Sequence, residues 1–140
     1  MDDPKIKRIL VVDDQATARR MISGIMAQYG HVDTAENGQD ALAQHAGAIE
    51  DGWGYDLISM DITMPGLLSG YQVVRCIRIH EEKLGLSERV PIIMVSSLGN
   101  MKELEEEQGL YGANDYIAKP FDRARMNEVI QRFLYRSSMP

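Results

Sequence analysis

Two adjacent carboxylates, Asp13 and Asp14, close the apolar run of "KRILVVDDQ". Like charges side by side repel, and one of them takes up a proton unless something positive stands close. Three further apolar runs end in groups able to do chemistry. Asp61 ends one in "ISMDITMPG", Ser96 and Ser97 end another in "IIMVSSLGN", and Lys119-Pro120 follow a third in "YIAKPF". Brought together, three carboxylates, a hydroxyl and an ammonium suit a hard divalent cation. Mg²⁺ prefers oxygen ligands, keeps several waters and is commonly shared with a substrate phosphate. Asp13 and Asp14 therefore read as metal ligands. Asp61 reads as a nucleophile, since a carboxylate can form an aspartyl-phosphate. Lys119 and the metal would neutralise charge on a transferring phosphoryl group, and Ser96 would donate a hydrogen bond to one of its oxygens.

Each residue also has a plain reading. An Asp after a strand often serves a turn or caps a helix. A strand-terminal Ser is usually structural, a Lys before Pro is usually a surface lysine, and the nine Met residues read as core filler. The case for chemistry rests on the set appearing at the ends of four successive strand-like runs.

Those runs are "RILVV" (8–12), "YDLISM" (55–60), "VPIIMV" (90–95) and "DYIA" (115–118). Unbroken apolar segments of this length suit strands buried on both faces of a parallel sheet. "HVDTA" (31–35) is weaker and reads as an edge strand. Helical patterns fill the gaps. Over 16–29, Ala18, Met21, Ile22, Ile25, Met26 and Tyr29 recur with period 3.6, and Gly30 stands where a helix end favours positive φ. Weaker or similar patterns cover 38–49, 70–84 and an acidic 101–110. Over 122–135, Met126, Val129, Ile130, Phe133 and Leu134 share a face, with Asp122 as N-cap. Five strands alternating with five helices predict a doubly wound α/β fold, with right-handed crossovers and helices on both sheet faces. Ligands of such sheets bind beyond the carboxyl ends of the strands, where the reactive residues fall.

The chain has 140 residues, which suits a single domain over 1–140 with a core of about 6–135. With 44% hydrophobic and 26% charged residues it can form a sizeable core. A net charge of −6 without a Lys/Arg cluster argues against direct binding to nucleic acid or anionic membranes. Cys76 is the only cysteine, so an internal disulfide is impossible and a reducing compartment fits. The N-terminus is too short and charged for a secretory signal and no run could span a bilayer, so the expected location is cytoplasmic.

The stretches "ILVVDDQATARR", "YDLISMDITMPG", "PIIMVSS" and "GANDYIAKPF" together resemble the receiver domain of two-component response regulators, of the chemotaxis-regulator type. The resemblance covers about residues 6–135. It implies strand order 2-1-3-4-5. It implies phosphoryl transfer to Asp61 from a histidine kinase or a histidine phosphotransfer protein. Asp13, Asp14, Asp61 and the Thr63 carbonyl would hold Mg²⁺. Ser96 would be the switch hydroxyl and Tyr116 the rotating aromatic. A cis Lys119-Pro120 bond would aim the Lys119 ammonium at Asp61. The signal would leave by the face of helix 101–110, the fifth strand and helix 122–135, to a downstream protein target. This chain departs from the pattern around the site. Pro65 to Gly70 is one residue longer than usual, Ser69 replaces a common acidic residue, Ser97 a common Ala, and "EDGWGYD" and "HEEKLGLSERVP" run long.

Other classes fit less well. A haloacid-dehalogenase-type phosphatase needs an acid two positions after its nucleophile, where this chain has Thr63. A flavodoxin-like cofactor binder needs Gly, Ser or Thr after the first strand, where Asp13 and Asp14 would repel a phosphate. A receiver-shaped interaction module without phosphorylation would not need the full acidic set and lysine. Only "RSSMP" follows residue 135, so output is expected from docking to a partner, unless the receiver is cut from a larger chain.

Overall fold

A computed structural model describes residues 6–64, 66–97 and 112–135. The elements run β1 (Lys7–Val12), α1 (Ala16–Met26), β2 (Gly30–Ala35), α2 (Gly38–Glu50), β3 (Leu57–Asp61), α3 (Gly70–Lys83), β4 (Ile92–Ser97), β5 (Asp115–Lys119) and α4 (Arg123–Leu134). All strand pairs are parallel, in the order β2-β1-β3-β4-β5. The expected topology is present, with β2 at one edge. Four helices lie among the described residues; the helix expected over 101–110 falls outside them.

Every residue of β3 is buried, as are the last four of β1 and the first five of β4. That explains why these strands read as continuous apolar runs. Alternate residues feed two cores. On one face Leu10, Val12, Ile58, Met60, Ile92 and Met94 pack under α2 and α3. On the other Ile9, Val11, Leu57, Ile93 and Val95 pack under α1 and α4. Each fully buried Ile or Leu contributes roughly 1.5–3 kcal/mol relative to exposure. Helices α2, α3 and α4 start on side-chain caps, whereas Gln15 gives α1 none. Ser69 and Gln72 form a reciprocal capping box at α3, and Asp122 accepts from the Arg125 amide at 2.7 Å.

Three expectations are corrected. α1 stops at Met26 rather than 29, and Gly30 does not end it with positive φ: it opens β2. Glycine is required there because a Cβ would lie 2.2 Å from the Lys7 carbonyl oxygen. The third strand begins at Leu57, not Tyr55, and the fourth at Ile92, not Val90. Tyr55 and Val90 are buried at 8% and 9% exposure, so apolar patterning reports their burial but not their place outside the ladder.

Candidate functional site

Parallel pairing carries the ends of β1, β3, β4 and β5 to one edge. Asp13 directly follows β1 and is fully buried, while Asp14 beyond it is exposed. Asp61 ends β3 opposite Val95 of β4, and is 5% exposed. One carboxylate oxygen from each of Asp13, Asp14 and Asp61 lies within 4.8 Å of the others. Lys119, ending β5, donates to Asp13 Oδ2 at 2.9 Å and stands 3.8 Å from Asp61 Oδ1. The Lys119-Pro120 bond is cis. The ammonium enters the site, and its nearer partner is Asp13 rather than Asp61. The geometry explains this preference: Asp13 has no access to solvent and needs the counter-charge most.

Asp13 is doubly engaged, because its Oδ1 also accepts from the Gln15 amide at 2.9 Å. The turn reading of this residue holds, and the same side chain stands in the acid cluster. Asp61 is crowded by its neighbouring carboxylates. Burial first, then the Asp13 charge, push its carboxyl up to about 7, against the opposing pull of Lys119. One ammonium does not neutralise three carboxylates. This all-oxygen, charge-deficient donor set fits a hard divalent cation such as Mg²⁺.

The remaining expected residues lie nearby. Thr63 is exposed, two positions past Asp61. Ser96 is buried in β4, one residue beyond the partner of Asp61. Tyr116 is half-buried in β5, opposite Met94 and against the α2/α3 core. Strand alternation places Ser96 and Tyr116 on the same sheet face, as diagonal neighbours. Ser97 is exposed at the strand end.

Two supporting residues escaped the reading of the sequence. Arg19 of α1 donates to the Asp13 backbone carbonyl at 2.9 Å and pairs with Glu36 at 3.1 Å, tying the loop after β1 to the loop after β2. Gly70 packs so closely under β3 that a Cβ would stand 2.2 Å from the Asp61 carbonyl oxygen. Its amide donates to the Ile62 carbonyl at 2.8 Å. The only advance signal for Gly70 was a glycine at a helix start.

The chain is similar to known proteins. The family model of the response regulator receiver domain matches residues 9–131. The transcriptional regulatory protein ResD of Bacillus subtilis is 36% identical over 99% of this chain, which spans 52% of that protein. The chemotaxis protein CheY of Treponema pallidum is 33% identical, with 91% of this chain and 82% of that protein covered. The structure of the response regulator TrrA of Thermotoga maritima, in complex with Mg²⁺-BeF, superposes with a TM-score of 0.73 at 30% identity, covering 92% of this chain and all of TrrA.

Proposed function

The chain belongs to the response regulator receiver domain family and is a phosphoacceptor; on that premise we propose that Asp61 is the residue that takes the phosphoryl group. The observation that carries this is the placement of Asp61, at the end of the central strand, between two carboxylates and one ammonium. An Asp61 carboxylate oxygen attacks phosphorus of a phosphohistidine, the P–N bond breaks, and the imidazole nitrogen leaves with the electron pair and is protonated. Donors of this class are a histidine kinase or a histidine phosphotransfer protein.

Asp14 and Asp61 would hold Mg²⁺, with Asp13 and the Thr63 carbonyl as further oxygen donors. Bound there, the cation neutralises charge on the transferring phosphoryl group. Lys119 already bridges Asp13 and Asp61, so it keeps positive charge beside the acceptor without rearrangement. Gly70 and Arg19 fix the backbone on either side of the acid cluster. Thr63 offers no second carboxylate for general-acid hydrolysis, which disfavours a dedicated phosphatase.

A phosphoryl group on Asp61 adds strong acceptor oxygens, and the hydroxyl-bearing Ser96 lies on β4 one residue beyond the partner of Asp61. Movement of that hydroxyl towards phosphate frees space on the face it shares with Tyr116. The surface of β5 and α4 then presents a changed shape to a downstream protein. Among the described residues no helix is long and apolar enough to cross a membrane. The chain spans about half the length of ResD.

Intact mass spectrometry after incubation with Mg²⁺ and phosphoramidate tests the assignment. Wild type gains one phosphoryl group and Asp61→Asn gains none. A gain that survives in Asp61→Asn assigns the acceptor elsewhere.

A further inference from the structure

β4 ends in two serines of unlike placement: Ser96 is buried and Ser97 is exposed. Side chains alternate along a strand, so the two leave opposite faces of the sheet. The parallel register says which faces. Asp61 pairs with Val95, two residues before Ser97, and Ser97 itself pairs with Lys119. Val95 and Ile117 lie in the core under α1 and α4, as does Leu57, four residues before Asp61. Asp61, Ser97 and Lys119 therefore share that face. Ser96 falls on the other, with Met60, Met94 and Tyr116.

We propose that the Ser97 hydroxyl donates a hydrogen bond to a phosphoryl oxygen on Asp61 and so holds the transferred group from the open side of the site. The proposal rests on Asp61 as the acceptor. Two residues along a strand cover about 6.6 Å and neighbouring strands lie about 4.8 Å apart, which puts the Ser97 backbone roughly 8 Å diagonally beyond that of Asp61. That step runs past the carboxyl ends of the strands, the direction in which a group on Asp61 projects. The phosphoryl group lengthens the Asp61 side chain along it. The serine side chain and an O–H···O bond of about 2.7 Å span the rest. Lys119 supplies positive charge on the same face, where it stands 3.8 Å from Asp61 Oδ1. Ser97 adds a neutral donor there, free to turn because it is exposed. The two serines thus divide the work. Ser97 holds the phosphoryl group on the face of the acceptor, and Ser96 carries its signal to the face of Tyr116.

The experiment is calorimetric titration of the intact chain with beryllofluoride, whose fluorines stand in for phosphoryl oxygens, in saturating Mg²⁺. Ser97→Ala should bind the probe about 2- to 10-fold more weakly than wild type, the range of one hydrogen bond. Its melting temperature and Mg²⁺ affinity should not change, which a merely structural role would not allow. Ser97→Thr keeps a hydroxyl and should recover most of the loss. Equal affinity in Ser97→Ala and wild type overturns the proposal, as does a Ser97→Thr no tighter than Ser97→Ala. At saturation, the Tyr116 ring resonances of Ser97→Ala should move as in wild type; loss of that movement would place Ser97 in the switch and overturn the division of work. Intact mass after phosphoramidate treatment keeps the premise separate. A phosphoryl gain in Asp61→Asn refutes the acceptor. No gain in Asp61→Asn, with Ser97→Ala binding beryllofluoride like wild type, refutes the role of Ser97 alone.

Discussion

Charges cluster at both ends of the sheet, and the two clusters are built on opposite principles. At the amino-terminal end of the strands, Arg8 donates to Asp33, Asp51 and the Trp53 carbonyl, while its guanidinium lies 4.8 Å from the Trp53 ring centroid and 5.0 Å from that of Tyr55. Asp33 in turn accepts from Tyr55 at 2.7 Å and meets His31 at 2.9 Å. Burial works to raise the Asp33 carboxyl, but hydrogen bonds from Tyr55, His31 and Arg8 prevail and hold it below its ordinary range. At the carboxyl-terminal end three carboxylates cluster, Lys119 pairs with Asp13 and Asp61, and Asp61 is pushed up to about 7. One cluster is saturated and acts as a strut. The other is left short of positive charge, and that deficit is what a cation and a phosphoryl group can exploit.

Removing the central cation at each end gives the largest expected effect. Lys119→Met leaves Asp13 buried without a counter-charge and should cost about 3–5 kcal/mol; Arg8→Met leaves Asp33 partly exposed and still held by Tyr55, and should cost less. Urea denaturation with and without Mg²⁺ separates them. Mg²⁺ should restore much of the loss in Lys119→Met and none in Arg8→Met. Equal rescue of both would erase the distinction between strut and site.

The pH dependence should have opposite signs at the two ends. Asp61 has a folded pKa near 7 against an ordinary value of 3.8, so the native state binds the extra proton between those values. Without metal, that contribution is present at low pH and lost as pH rises towards 7, by on the order of 2–4 kcal/mol. Asp33 is lowered, so its contribution is present above 3.8 and lost as pH falls through its folded pKa. Stability profiles of Asp61→Asn and Asp33→Asn measure each alone. The Asp61→Asn profile should lack the neutral-range decline, and a decline that persists there would falsify the protonated reading of the site.

Magnesium should stabilise the wild type by about 2.7 kcal/mol at 100 times its Kd. Asp14→Ala, at an exposed position outside both cores, should lose most of this without harming the metal-free fold. A melting temperature that rises equally in Asp14→Ala would place the ion away from the acid cluster.

The same contrast explains what the sequence made legible. β1, β3 and β4 show as apolar runs because both of their faces are covered, and Asp13, Asp61, Ser96 and Lys119 stand out as polar groups at the ends of such runs. Tyr55 blurred the start of β3 because it is buried by the Arg8 cluster rather than by the ladder. Gly30 and Gly70 act by lacking a side chain beside another segment's backbone, which no periodicity records. Arg19 acts on a main-chain carbonyl from a helix face, so its residue type carried no hint of the site. The acidic segment 101–110 lies outside the described residues, and its helix stands as an expectation.

Arg19 sharpens the comparison, because it is a saturated contact placed at the unsaturated end. Its side chain is 17% exposed and reaches two acceptors of unlike value. Glu36 is 69% exposed, so that pair contributes about 0–1 kcal/mol in screening solvent. The Asp13 carbonyl is fixed within the turn that precedes Asp14, and a charged donor to such an acceptor contributes about 1.5–3 kcal/mol before strain and entropy are met. Glu36→Ala should therefore cost little, and Arg19→Ala about 1 kcal/mol more than Glu36→Ala. The effect on metal binding should divide the same way. Release of the Asp13 carbonyl loosens the peptide that aims the Asp14 carboxylate, so Arg19→Ala should weaken Mg²⁺ a few-fold while Glu36→Ala leaves it unchanged. Arg19→Lys supplies one compact donor in place of a planar fork and should recover stability only in part. Equal loss of Mg²⁺ affinity in Arg19→Ala and Glu36→Ala would show that charge near the loop, not the bond to its backbone, is what the acid cluster needs.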